Sequence, residues 1–217
     1  MEESVTPFRC KKNSLCLRPE IVSLFFWFIV IGVGLQLTAE APQAQDRTTR
    51  AYSLHAPGTL VLNVPSSWRE EMKKAQSDAP PTITFRPPAG QDFIVMIAAL
   101  KDPKGNKDFN SPETVRKLME VDRDRIKSRA VESDIGLRTL KGPNMHGTYF
   151  SVTDKKPEPG EYEYLTRAGV GVGDLLLSVS VLTHDRNSPA IDDTLSMLED
   201  AKVEREKPRE RKTRPRP

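Results

Sequence analysis

The sequence predicts an α+β domain over residues 52–201, with a β-sheet of about six or more strands flanked by helices. Three observations favour this fold class. Seven segments have the apolar alternation, or the apolar run length, of β-strands. Clusters of proline and glycine separate many of these segments. Only two segments begin with residues that start helices.

The first strands are marked by their apolar patterns. Thr59–Val64 alternates and ends at Pro65, and Thr82–Arg86 alternates before a proline turn. Phe93–Leu100 is apolar at both parities. A strand of that composition is typically buried on both faces. We therefore expect another layer to cover each side of the sheet at this strand.

The first helix is predicted to begin after Ser111, which can cap it. Pro112 is tolerated in the first turn, and Glu113 is favoured there by the helix dipole. The apolar residues predicted to share one side are Val115, Leu118, Met119 and Ile126. The charged residues between them are interpreted as a solvated face.

Four further extended segments follow this helix, at residues 135–140, 148–153, 161–168 and 174–183. The glycine run 169–173 lies between the last two and predicts a hairpin connection. A phosphate-binding loop would open a helix, whereas here a strand follows. The glycine run is therefore not expected to bind a nucleotide.

The second helix opens at Asn187-Ser188-Pro189 and closes the domain at Ala201. Its apolar residues are spaced for one side of a helix and are Ile191, Leu195 and Leu198. Residues 204–217 contain no apolar side chain, so the basic tail, 202–217, is predicted to be disordered.

A hydrophobic segment, Ile21–Leu37, precedes the domain and follows basic residues. That order is typical of export signals and of N-terminal membrane anchors. Ala39-Glu40-Ala41 is the best cleavage site, but Pro42 follows it, so both cleavage and retention stay open. The predicted organisation is a cytoplasmic basic region, 1–20, a signal core or anchor, 21–38, and a tether, 39–51.

Charge and cysteine content restrict the class of protein. The chain carries +3, but the last fourteen residues carry +4 and residues 46–203 carry −1. A nucleic-acid-binding domain would need a dense positive face, so nucleic acid is not an expected partner. Cys10 and Cys16 both precede the hydrophobic segment, which leaves the domain without disulfides or thiolate metal sites.

No catalytic, cofactor or metal site is predicted. His55, His146 and His184 are far apart, and none has a second histidine or cysteine at ligand spacing. Acidic residues, among them Asp154, Glu161, Glu163 and Asp185, fall at predicted strand ends and turns. An enzyme would need these scattered groups to meet in one pocket.

The layout of strands resembles bacterial exported proteins of the PsbP and Mog1-like fold. The resemblance rests on Tyr52-Ser-Leu, on Thr59–Val64 continuing into Pro65-Ser-Ser-Trp68, on Thr82–Pro87, and on Gly173–Thr183 before a final helix. It implies an antiparallel sheet flanked by helices, an α/β/α sandwich. Known members are extrinsic assembly or binding factors and not established enzymes. It implies neither photosystem attachment nor GTPase binding for this chain.

Together these features predict a noncatalytic binding or assembly module of the bacterial envelope, periplasmic or secreted, or anchored in the inner membrane through Ile21–Leu37. The expected partner is an envelope protein, or an anionic envelope polymer bound by the basic tail. A related hypothesis makes the domain a periplasmic stabiliser of an adjacent membrane complex. The alternative is an envelope hydrolase with a site assembled from histidines and carboxylates.

Overall fold

The computed structural model describes residues 46–55, 58–74, 79–89 and 92–205. These residues form ten strands and two helices, namely β1 Arg47–His55, β2 Gly58–Pro65, β3 Arg69–Lys73, β4 Thr82–Arg86, β5 Phe93–Leu100, α1 Pro112–Ile126, β6 Arg138–Gly142, β7 Met145–Thr153, β8 Tyr164–Val172, β9 Leu175–Thr183, α2 Pro189–Glu199 and β10 Lys202–Arg205.

The strands form two antiparallel sheets. The larger has seven strands in the order β3-β4-β5-β9-β8-β7-β6, and the smaller has the order β1-β2-β10. Every strand pair is antiparallel. The predicted α+β class, an antiparallel sheet of six or more strands with helices, is confirmed.

The main core fills the space between the larger sheet, the smaller sheet and α2. Alternate residues of β5 and β9 enter it, as the period of two requires. Its members include Val95 and Ile97 of β5, Val179 of β9, Leu62 of β2 and Met197 of α2, each nearly inaccessible to solvent.

The opposite face of the larger sheet is covered by α1 only over β7 and β8. A smaller core lies there, formed by Met119, Ala130, Ile135, Phe150 and Val152. Two glycines of β8 make room for this layer. A Cβ on Gly169 would lie 2.9 Å from the sulfur of Met119, and one on Gly171 would lie 2.5 Å from Nε2 of His146.

The prediction that the glycine run 169–173 is a hairpin connection is therefore wrong for Gly169 and Gly171, which lie inside β8. Only Gly173 belongs to the two-residue turn between β8 and β9, with a φ of 57°. Positive φ at the first turn position is what a type II′ hairpin requires.

The start of α1 is confirmed. The Ser111 side chain accepts a hydrogen bond from Thr114 N at 3.3 Å, with Pro112 in the first turn. Leu118 does not join the buried side and is 44% exposed, since Val115 and Met119 already define that side four residues apart. In α2 the buried residues are Ala190, Thr194, Met197 and Leu198, while Ile191 and Leu195 are partly buried.

The folded domain extends beyond both predicted limits. β1 begins at Arg47, inside the predicted tether, and the Arg47 guanidinium pairs with Asp193 of α2 at 3.1 Å. β10 takes Lys202–Arg205 from the predicted tail and pairs with β2, because Val203 packs against the core. The predictions for 1–38, 39–45 and 206–217 lie outside the described residues.

Within the described ranges, neither helix has the length and apolar content needed to cross a membrane.

Candidate binding surface

Half of one face of the larger sheet has no helix over it in the described part of the chain. We call it the open strip, and it consists of Ile94, Met96, Ala98, Ser178, Ser180 and Leu182. All six side chains are partly exposed. The prediction that both faces of β5 are covered is thus wrong within these ranges, because α1 packs on β7 and β8 and stops short of β5.

One wall of the open strip is the inner edge of α1. Asp122 Oδ2 accepts a hydrogen bond from Arg167 Nη2 at 2.8 Å, and the same guanidinium donates to the hydroxyls of Ser178, at 3.2 Å, and of Ser180. These contacts join α1 to β8 and β9. Both serine oxygens of the strip thus each accept one hydrogen bond from within the protein.

A cavity of about 460 Å³ opens at one end of the strip, where α1 ends and the β7–β8 loop begins. We call it the end pocket. Its apolar floor consists of Ile126, Ala130, Val152, Leu165 and Leu182. Leu182 belongs to both features, so the strip and the pocket are continuous. The volume is within the range of ordinary ligand pockets, about 300 to 1,000 Å³.

The rim of the end pocket carries an ion pair. Arg129 Nη2 lies 2.7 Å from Asp154 Oδ2. The backbone N–H of Lys156 donates to the same carboxylate at 3.0 Å. That hydrogen bond, with Arg129, holds the pKa of Asp154 below its usual value. The rim of the apolar floor therefore carries a paired cation and anion at this position.

Tyr162, which lines the pocket, belongs to a cluster of three residues with Asp92 and His184. The Tyr162 hydroxyl donates to Asp92 Oδ1 at 2.6 Å, and His184 Nε2 lies 3.2 Å from Asp92 Oδ2. The Tyr162 and His184 rings are 4.6 Å apart. Burial, and then the Asp92 carboxylate, raise the pKa of Tyr162 to about 12. Seventy residues separate Asp92 from Tyr162, so sequence spacing gave no indication of this cluster.

The predicted candidates do not converge. His146 lies on β7 opposite Gly171, and its Nε2 donates to the Asn110 carbonyl at 2.7 Å. The register pairs His146 with Gly171, and Gly171 with Leu176 of β9, which is eight residues before His184. The two histidines are therefore more than about 25 Å apart. His55 ends β1, and its side chain is outside the described atoms.

The acidic candidates also have separate local roles. Asp185 Oδ1 accepts from the backbone of Asn187 at 2.9 Å, just before α2. Glu161 Oε2 accepts from the backbone of Glu158 at 3.2 Å, within the β7–β8 loop. No group of three or more metal-ligating side chains occurs among the residues the structure describes. Neither His184 nor Asp92 receives a hydrogen bond from a serine or threonine hydroxyl in those ranges.

No protein-family model and no curated protein matches the chain. Among solved structures it is similar to cyanobacterial PsbP (CyanoP) from Synechocystis, with 9% identity, a TM-score of 0.42, and coverage of 78% of this chain and 98% of that one. LpqN, involved in cell envelope biogenesis of Mycobacterium tuberculosis, is similar with 14% identity, a TM-score of 0.40, and coverage of 72% and 91%.

A protein from Bacteroides thetaiotaomicron is similar with 16% identity and a TM-score of 0.44 over 69% of this chain. This chain covers only 46% of that protein. These structures include a PsbP protein, the family that the sequence resembles. At these TM-scores the likeness transfers no ligand, partner or activity to this chain.

Proposed function

We propose that this chain is a noncatalytic, exported binding or assembly module of the bacterial envelope, and that it binds through the open strip and the end pocket. The observation that supports the proposal is the continuous surface from Met96 to the 460 Å³ pocket, apolar along most of its floor. Apolar patches of this kind on a soluble domain commonly mark interaction sites.

A hydrolase, the alternative, would use the pair His184 and Asp92, which contacts Tyr162 of the pocket lining. The pair lacks an adjacent nucleophile among the described residues, and the side chain of His184 is 40% exposed. Exclusion of water and a nucleophile within hydrogen-bond reach are what such a site would need. The geometry therefore favours binding over acyl transfer at this pocket.

Export is supported by Ile21–Leu37 with its basic flank. Osmotic-shock fractionation with the intact mass of the product tests it and separates two forms of the proposal. A periplasmic product that lacks about the first 41 to 44 residues would exclude the anchored form. Cytoplasmic recovery of the full chain would refute export itself.

Site-specific photocrosslinking in cells tests the binding surface. A photoreactive residue is placed at Met96 or Leu182 of the surface and, as the matched control, at Met72, an exposed methionine of β3 that pairs with the core residue Ile83 and so lies on the other face of the sheet. We expect the same envelope component to be crosslinked from both surface positions and not from Met72. Equal crosslinking from all three positions would contradict the proposal.

A further inference from the structure

We infer that the open strip is a docking groove for an amphipathic helix of a partner protein whose apolar stripe is flanked by acidic residues. This inference rests on the proposed function and specifies the chemistry of the partner. Three features of the described residues support a helical, acidic occupant: the width and length of the strip, the state of its floor, and the charge of its walls.

The strip is as wide as one helix. In the order β5-β9-β8-β7, α1 lies over β8 and β7. The midline of β5 and β9 is two strand spacings away, about 9.6 Å. Packed helices are separated by about 8–10 Å. A second helix over β5 and β9 would thus be in direct contact with α1.

The length of the strip also matches a helix. α1 runs along β8, with Val115 and Met119 over Gly169 and the Asp122 carboxylate on Arg167. Along β5 the strip runs from Ile94 to Ala98, about 14 Å at about 3.4 Å per residue, so about nine residues of a neighbouring helix, or two and a half turns, would lie over it.

The floor is suited to an apolar stripe. Ile94, Met96 and Ala98 follow one another on the same side of β5, and Leu182 lies beside Ile94 on β9. The hydroxyl oxygens of Ser178 and Ser180 already accept hydrogen bonds from Arg167, so under an apolar occupant each would keep one partner. This reduces the cost of burying these polar groups.

The wall opposite α1 is basic. Arg69 of β3 and Arg86 of β4 are directly opposite each other, exposed, and on the same face as the strip. Neither has an ion pair within the described ranges. Like charges at opposed positions destabilise a sheet. Lys73 and Glu71 lie on the same face, so the four charged side chains of this wall have a net charge of +2, although residues 46–203 together have a net charge of −1.

The α1 wall adds a further positive charge. Arg125 lines the groove with its side chain 76% exposed, and its nearest acidic oxygen, on Asp122, is 4.0 Å away. That Asp122 carboxylate also accepts the shorter bond from Arg167. Cations on both walls complement a helix with acidic residues on both sides of its apolar stripe, since charge complementarity governs orientation and partner choice.

Binding of designed peptides tests the inference. The probes are three lactam-stapled helices of 15 residues. The first has a leucine stripe flanked by glutamates, and the second has the same stripe flanked by lysines. The third has the composition of the glutamate peptide in a scrambled order. Fluorescence anisotropy is measured with the full chain in zwitterionic nanodiscs, and empty nanodiscs serve as the blank. We expect the glutamate peptide to bind about tenfold or more tightly than either of the others.

Variants of the chain locate the site. The double variant Arg69→Glu with Arg86→Glu should weaken the glutamate peptide by about tenfold or more and strengthen the lysine peptide. Arg138→Glu, an exposed arginine on edge strand β6 and on the other face, is the matched control and should change neither. Met96→Glu should abolish binding of the glutamate peptide. Circular dichroism establishes that each variant keeps the wild-type unfolding temperature.

Several results would overturn the inference. Equal affinity for glutamate and lysine peptides, or equal loss in Arg138→Glu, would exclude an acidic helix at this site. Self-association of the wild type that Met96→Glu abolishes would assign the strip to a second copy of the chain. If strip-specific crosslinks form in cells while the peptides do not bind, the helix inference fails and the proposed function stands. If those crosslinks do not form, the proposed function itself fails.

Discussion

Substitution of Gly171 by alanine tests the packing of the layer over β8. A Cβ there would lie 2.5 Å from Nε2 of His146 and closer still to the Asn110 carbonyl oxygen. That oxygen cannot easily retreat, because the Asn110 side chain donates to the carbonyls of Gly173 at 3.1 Å and Leu175 at 2.8 Å. Overpacking costs about 1–3 kcal/mol, and each broken hydrogen bond about 1 kcal/mol. We expect a loss of about 3 kcal/mol in the free energy of unfolding.

Gly169→Ala is the matched control in the same strand. Its Cβ would meet the Met119 sulfur at 2.9 Å, and a flexible thioether can move away. Alanine also gains about 0.5–1 kcal/mol over glycine in a strand, so the net change should stay within about 1 kcal/mol. Thermal unfolding followed by circular dichroism should show a fall of about 6–12 °C for Gly171→Ala and under about 4 °C for Gly169→Ala. A larger fall for Gly169→Ala would refute the reasoning.

Three further predictions concern side chains near the proposed surface. Burial opposes ionisation of Glu132, but hydrogen bonds from Thr153 outweigh it and lower its pKa below 4.5. This stability is present above pH 4.5 and lost as pH falls. Thr153→Val removes the hydroxyl bond and keeps the backbone N–H bond, so it should reduce the fall in the urea midpoint between pH 7 and pH 3 without abolishing it. Tyr162 has a raised pKa, so its contribution is present below pH 10 and lost towards 12. Tyr162→Phe should therefore remove the phase of the tyrosinate absorbance titration near pH 12 and leave the later phase of Tyr52, whose pKa is raised further by burial. Phe150→Ala empties a fully buried site and should cost about 3–5 kcal/mol in denaturant unfolding, whereas an unchanged midpoint would contradict the described core under α1.

The sequence predicted the fold class because its strands have one buried face and because local residues set the helix starts. Ser111 and Pro112 are sufficient to begin α1. The predicted apolar face of Thr59–Val64 is buried in β2 at Leu60, Leu62 and Val64, although Val61 between them is buried as well. Helix starts and strand faces are determined by residues close together in the chain, so they can be predicted from short sequence patterns.

What the sequence could not predict depends on contacts between distant segments. β3 has five exposed residues and no apolar alternation that would mark it, and it exists because β4 pairs with it. The glycines of β8 resemble a turn in sequence but serve close approach of α1 and of Asn110. The cluster of Tyr162, Asp92 and His184 depends on the ends of three neighbouring strands, β5, β8 and β9, meeting on one side of the domain. The half-covered face of β5 likewise depends on where α1 lies.

The arrangement of layers gives the open strip a defined place relative to the chain ends. The smaller sheet contains both β1, where the described domain begins, and β10, where it ends, and this sheet packs on the α2 side of the larger sheet. The strip is on the other side. The chain therefore enters and leaves the described domain on the layer opposite the proposed groove.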